Sequence, residues 1–254
     1  MIHGAIGHLD VAQIVLYAFF AFFAALIWYL RQEDRREGYP LESESDGGFR
    51  ERGFLFIPDP KTFRLSDGTS ILAPTYEGDA RPIKAVKCDP WPGAPLEPTG
   101  EPLLAGVGPG SWAVRPDFPY QTADGHDLIA PLRVATNFAV AVEGANPLGF
   151  AAIAADGKAA GVVKDLWVDR GETVLRYYEI ALDKGGSVLA PVNFVDVNGN
   201  ARSIRINALT SAQIGLVPKL KNPDSVTLQE EEIIGAFYGS GTLYATHDRA
   251  EPLI

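Results

Sequence analysis

The sequence predicts a single N-terminal transmembrane α-helix followed by a cytoplasmic, mainly-β domain, a small antiparallel barrel with one C-terminal helix. Three observations carry this. Residues 11–30 read VAQIVLYAFFAFFAALIWYL, twenty residues without a charge. After Gly125, short apolar runs alternate with tight-turn pairs. Near the end, Thr227-Leu228-Gln229-Glu230 has the form of a capping box that opens a helix.

Twenty helical residues at about 1.5 Å of rise span roughly the 30 Å hydrocarbon core, and a helix satisfies its own backbone groups there. No Lys or Arg lies in the first ten residues, so the basic n-region of a cleavable signal is missing and the segment is expected to stay as an anchor. Arg31, Arg35 and Arg36 follow the span at once. Basic residues are retained on the cytoplasmic side, so the N-terminus, with His3 and His8, is expected outside and everything after the span inside. Trp28 and Tyr29 sit where an interfacial aromatic belt would place them. Ala18, Ala21 and Ala25 form a small-residue stripe, which suits either close helix packing or a lone helix in lipid.

After residue 37 come 19 basic and 28 acidic residues, a balance of −9. Such a surface is repelled by nucleic acid and by anionic head groups, so neither is an expected bulk partner. The single cysteine, Cys88, excludes an internal disulfide and a cysteine-based zinc site.

Three segments are expected: residues 1–37 with the anchor, an extended Pro/Gly-rich stretch over 38–120, and the β-domain with its helix over 121–254. Phe54 to Ile57 and Ser70 to Ala73 read as short strands or extended pieces, not helices. Cys88 to Tyr120 holds eight prolines and five glycines, which excludes a regular element. It also carries Trp91, Trp112, Phe118, Tyr120 and Leu103-Leu104, too much apolar surface for a free linker. An ordered, irregular strap lying on a partner or on the following domain fits both facts. Strands are expected over Leu132–Val142, Phe150–Ala155, Gly161–Asp169, Thr173–Leu182, Ser187–Val197 and Arg202–Leu209. They are separated by Asp156-Gly157, Arg170-Gly171, Gly185-Gly186 and Asn198-Gly199, at the spacing of a small barrel or sandwich. The helix opened at Thr227 is expected to end at Gly239 and Gly241.

No HExxH, GxSxG, CxxC or Walker loop is present, and Gly106-Val107-Gly108-Pro109-Gly110 neither follows a clear strand nor opens a helix. What remains are ionisable groups at turns: Asp124, His126 and Asp127, then Asp169 and Glu172 across one hairpin turn, with Arg176 beyond. Acids at turns are commonly solvated turn-formers. Buried ones behave differently, because burial and like-charge proximity raise their pKa toward neutrality, and groups so poised can pass protons.

The anchor followed by REGYPLE at residues 36–42, then DPKTF at 59–63, GPGSW at 108–112, PLRVA at 131–135, DLWVD at 165–169 and VTLQEEE at 226–232 resembles the H subunit of the photosynthetic reaction centre of purple bacteria. The order of these motifs along one anchored chain is more specific than any one of them. The resemblance implies one transmembrane helix in the photosynthetic inner membrane, a periplasmic N-terminus, and a cytoplasmic part built on the PRC barrel. It implies a non-catalytic subunit that caps the L and M subunits. Those carry the bacteriochlorophyll, bacteriopheophytin, quinones and non-haem iron, with a carotenoid as an optional addition. Membrane lipids are implied neighbours, and a cytochrome subunit and a light-harvesting antenna ring are optional ones.

By the same resemblance Glu172 matches an internal proton-relay glutamate, Asp169 the acid beside it and Arg176 its basic partner. Asp124 and His126 match the surface where protons are taken up toward the secondary quinone. The sequence departs from the family there, since Asp127-Leu128 follows His126 where a longer stretch with a second histidine is expected, and the departure bears on both proton entry and metal binding at His126. A membrane-anchored assembly module with solvated acids is the alternative reading. An anchored hydrolase lacks a nucleophile and base pair.

Overall fold

The computed structural model describes residues 11–39, 41–42, 49–50, 56–65, 68–75 and 81–250. His3 and His8 lie outside them. The chain divides into two compact units, residues 1–81 with 91–93, and residues 82–90 with 94–254.

In the first unit helix α1 spans Val11–Glu33. Through Arg36 the chain holds 26 residues of helix apolar enough to cross a membrane, with no side chain of the tested window buried inside the protein. Arg36 follows the helix and ties its last turn to the loops beyond it. The guanidinium forks onto Glu33 through two bonds of 2.8 Å. It also donates to the carbonyls of Asp59 at 2.7 Å and Ala73 at 3.0 Å. Strands β1 (Leu41–Glu42) and β2 (Phe49–Arg50) pair, as do β3 (Lys61–Arg64) and β4 (Ser70–Ala73). The expected strand over Ser70–Ala73 is therefore present. Phe56 and Ile57 are irregular, and the preceding two residues of that expected strand lie outside the described ones.

The second unit begins with the hairpin β5 (Ala85–Lys87) and β6 (Leu96–Pro98). The chain then runs as an irregular strap with two 3-10 turns, and buries Leu103, Ala105 and Val107. Strands β7 (Ile129–Pro131), β8 (Ala151–Ile153), β9 (Ala159–Asp169), β10 (Val174–Leu182), β11 (Ser187–Pro191), β12 (Val195–Asn198) and β13 (Ser203–Ile206) form one seven-stranded sheet. The hydrogen-bonded order is β11-β10-β9-β8-β13-β12, with β7 beside β9. The short helix α2 (Ser211–Ile214) and the long helix α3 (Leu228–Tyr244) complete the unit. Trp167, Leu166, Ile180, Leu189, Ile204, Ile206 and Leu209 from the sheet side meet Ile214, Ile234, Phe237 and Tyr238 in one core.

Several expectations change. The single strand expected over Ser187–Val197 is two, β11 and β12, parted by a 3-10 turn at Val192–Phe194, and the stretch expected to hold no regular element contains β6 at Leu96–Pro98. The sheet is an open path, not a closed barrel, and β8 pairs with β13 in parallel, so the ladder is not wholly antiparallel. The apolar run Leu132–Val142 is not a strand. Leu132 makes the last bond to β9, its amide donating to the Leu166 carbonyl at 2.8 Å, and the chain then turns back, the amides of Val134 and Ala135 both donating to the Pro131 carbonyl. Its apolar side chains are still used, since Ala135 packs with Phe138 against Val168. Finally, α3 runs through Gly239 and Gly241 to Tyr244. These glycines are contact points: a Cβ on Gly239 would lie 2.7 Å from the Pro109 carbonyl oxygen, and one on Gly241 2.5 Å from that of Ala208. The predicted start of α3 is present, with the Thr227 hydroxyl accepting from the Glu230 amide and the Glu230 carboxylate accepting from the Thr227 amide.

The strap settles on α3 rather than standing free. Leu228 and Gln229 donate their first-turn amides to the carbonyls of Phe118 and Pro116, so donors that an isolated helix leaves orphaned are satisfied. Gln229 and Glu232 accept from the amides of Arg115 at 2.8 Å and Ala113 at 3.1 Å.

Candidate functional site

The turn between β9 and β10 is built by Asp169. This carboxylate is 5% exposed, and its Oδ1 accepts the amides of Gly171 at 2.9 Å and Glu172 at 3.0 Å. Thr173 closes the turn at φ 59°, a left-handed conformation that a β-branched residue adopts only when its surroundings impose it. The Glu172 side chain projects exposed from the turn. Asp169 and Glu172 are thus joined through a backbone amide, and this chain alone does not bury the Glu172 carboxylate. Asp124 and His126 lie on another exposed turn, closed by the Gln121–Asp127 bridge and by the Thr122 amide donating to the His126 carbonyl. That turn leads into β7, where Ile129 pairs with Asp169 and the Leu128 carbonyl accepts the Arg170 amide. Both turns therefore emerge at one end of the sheet.

Arg176, on β10, is brought to a residue that the sequence reading passed over. Its Nη2 lies 4.0 Å from Oε2 of Glu231 on α3. The same oxygen accepts the hydroxyl of Tyr177 at 3.0 Å, and Tyr177 is itself 5% exposed. Burial raises the pKa of Glu231. The Tyr177 hydrogen bond and the Arg176 charge oppose the rise, and the Asp169 charge reinforces it. Burial, followed by the Glu231 charge and hydrogen bond, also raises Tyr177, so the phenol keeps its proton. Pro109, Ser111, Arg115, Arg176, Tyr177 and Glu231 line a cleft of about 650 Å³ at this place. The capping box was the signal that could have found Glu231. With Thr227 as N-cap, helical spacing sets Glu231 on the flank of the buried Glu230, Ile234, Phe237, Gly241 stripe.

A second ionic cluster lies further along β10. Glu179 is 3% exposed, and its oxygens accept from Arg133 at 2.6 Å, Lys164 at 2.7 Å, Ser187 at 2.8 Å and the Trp167 indole at 3.2 Å. Burial works against its charge, but these donors outweigh it and hold the pKa at about 2. Arg133 also reaches Asp165 and Asp224 at 2.8 Å each, and the Pro223 carbonyl. For Arg133, burial is likewise outweighed by its carboxylate partners, so its pKa rises. Such a saturated network clamps the 131–135 segment and the 223–224 loop to the sheet and has no free valence for chemistry.

Among the described residues no group of three or more His, Cys, Asp or Glu side chains is placed to hold a metal ion. Comparison with protein families gives two matches. Residues 4–134 match the family model described as the photosynthetic reaction centre, H-chain N-terminal region, and residues 140–213 match the PRC-barrel domain. Asp124 and His126 fall in the first match, Asp169, Glu172 and Arg176 in the second, and Glu231 in neither.

Proposed function

Because the chain belongs to the photosynthetic reaction centre H-chain family, we propose that it caps the cytoplasmic face of the L and M subunits, shields their quinone sites and conducts protons to the secondary quinone. The observation that carries the family reading is the H-chain match over residues 4–134, followed in sequence by the PRC-barrel match. The helix near the N-terminus, apolar enough to span a membrane, fits a subunit of a membrane complex. In this reading the N-terminus is periplasmic, the β-domain is cytoplasmic, and the pigments, quinones and iron are held by the other subunits.

Support for the proton role is the gathering of ionisable groups at one end of the sheet. Asp124 and His126 are exposed where protons would be taken up, Glu172 projects from the adjoining turn, and Asp169 holds that turn in place. A carrier role for the exposed Glu172 needs a partner chain that covers it, since burial is what favours the neutral form of a carboxylate. The test is Glu172→Gln in the assembled complex. Glutamine keeps the size but cannot bind and release a proton, so the second, proton-coupled electron transfer to the secondary quinone should slow while primary charge separation is unchanged. Flash-induced absorbance with a pH indicator reads both. An unaltered uptake rate would leave this residue a solvated turn former. Failure of the chain to copurify with bacteriochlorophyll in a near-infrared spectrum would end the reaction-centre reading.

A further inference from the structure

We propose that Glu231 is the proton-holding carboxylate of this face, taking up a proton from the cleft as the neutral acid and returning it to the next acceptor, with the Tyr177 hydroxyl as its fixed hydrogen-bond donor. The proposal rests on the reading that this end of the subunit conducts protons, and names a residue that reading does not use.

Among the described residues, three other acids around it are committed, while Glu172 stands exposed on its turn. Asp169 accepts two turn amides. Glu230 accepts the amides of Thr227 and Lys221, each within 2.9 Å. Glu232 accepts the Ala113 amide and lies 3.7 Å from the Arg115 guanidinium. By contrast, among the described residues Glu231 has one side-chain hydrogen-bond donor, Tyr177, and one cation at 4.0 Å, Arg176. Its side chain is 17% exposed and opens on the cleft. A carboxylate has acceptor capacity for about four hydrogen bonds, so spare capacity remains on the cleft side for a proton and for water. Charge around it comes from Arg176 and Tyr177 on β10, Asp169 at the end of β9, Arg115 on the strap, and Glu230 and Glu232 beside it on α3. The negative neighbours favour the protonated form and Arg176 restrains it, which leaves the group poised rather than locked.

The step balances simply. The ionised carboxylate accepts a proton delivered through cleft water, the new O–H points to the cleft, and Tyr177 goes on donating to Oε2, now the carbonyl oxygen. Nothing has to rotate. On release the proton passes to the next base and the carboxylate returns.

The experiment uses the complete pigment-containing complex with four variants: Glu231→Gln, Glu231→Asp, Tyr177→Phe and Glu172→Gln. Light-induced infrared difference spectra report any carboxylic acid that forms, and a pH indicator reports uptake. Glu231→Gln should remove one carboxylic-acid carbonyl band and reduce flash-induced uptake. Tyr177→Phe should keep that band but shift it upward, because the carbonyl loses its donor. Glu231→Asp should retain a band and restore uptake with a displaced pH midpoint, and it carries the test should the Gln variant fail to assemble. Unchanged bands and uptake in both Glu231 variants, with slowed uptake in Glu172→Gln, overturn the role of Glu231 alone. Unchanged uptake in all four variants overturns the proton reading of the whole face.

Discussion

Two clusters share strand β10 and are built from the same side-chain types, yet they have opposite character. Glu179 is buried and its pKa is lowered, while Glu231 is partly buried and its pKa is raised. Burial opposes charge in both, so burial does not separate them. The number of donors does. Four side chains donate to Glu179 within 3.2 Å, whereas Glu231 has Tyr177 and a distant guanidinium. A fully served carboxylate is a structural rivet, and an under-served one at a cleft can change its protonation state.

The largest effect should come from breaking the saturated cluster. Arg133→Met removes the guanidinium that bonds Glu179, Asp165, Asp224 and the Pro223 carbonyl. Removing one partner of a buried pair is typically worth 3–5 kcal/mol, and because the Arg133 side chain is 33% exposed the loss should be about 2 to 3 kcal/mol. Urea unfolding of the detergent-solubilised chain measures it. A loss below about 1 kcal/mol would mean that Lys164, Ser187 and Trp167 suffice, and the rivet would be misidentified.

Next comes the position of the strap that walls the open cleft. Gly239→Ala drives a Cβ against the Pro109 carbonyl at 2.7 Å, so the strap carrying Pro109 and Ser111 must move. A loss of about 2 kcal/mol is expected. In contrast, Gly235→Ala, on the same helix with nothing within 4 Å of the added Cβ, should gain about 0.5 to 1 kcal/mol from helix propensity. If both alanines behave alike, the close approach of strap and helix is not what sets the cleft.

These glycines also show where the sequence was readable. The anchor, the turn pairs between the β-runs and the Thr227 cap are local signals, set by a few neighbouring residues, and each has its counterpart in the structure. Gly239 and Gly241 read locally as a helix end, and only the carbonyls of Pro109 and Ala208, far off in sequence, explain them. The parallel pairing of β8 with β13 is equally non-local: no turn joins Ala151–Ile153 to Ser203–Ile206, so no turn residue announces it. At the site, Asp169 and Glu172 were legible as a hairpin-turn pair with Arg176 beyond, but Glu231 reaches Arg176 from α3 across more than fifty residues, and within its own segment it looks like one of three consecutive helix-start acids.

The opposite pKa directions give the two clusters opposite pH signatures. Glu179 is lowered from 4.5 to about 2, so the stability it contributes is present above about pH 4.5 and is lost as pH falls toward 2. At most this is about 3 kcal/mol. Glu231 is raised, so its contribution is present below its unfolded value and lost as pH rises through the folded one. Replacement by Gln should therefore flatten the acid limb of the stability profile at position 179 and leave that limb in place at position 231. Denaturation midpoints across the acid range read both, and an acid limb that survives Glu179→Gln would assign it to other carboxylates.

The smallest stability effect should be at Arg176, and its smallness is informative. Its side chain is 44% exposed, and its ion pair among the described residues lies at 4.0 Å, where exposed pairs contribute roughly 0 to 1 kcal/mol. Arg176→Gln should therefore change stability by less than about 0.5 kcal/mol, against the several-fold larger loss expected for Arg133→Met. Yet among the described residues Arg176 is the cation paired with Glu231, whereas Arg115 pairs with Glu232. Its removal takes away an attraction for the ionised form, so the titration midpoint of Glu231 should move up, visible in the pH dependence of its carbonyl band. Unchanged stability with a displaced midpoint would establish that charge at this face tunes protonation without holding the fold. A fixed midpoint would mean that Tyr177 alone governs Glu231, and Arg176 would leave the site.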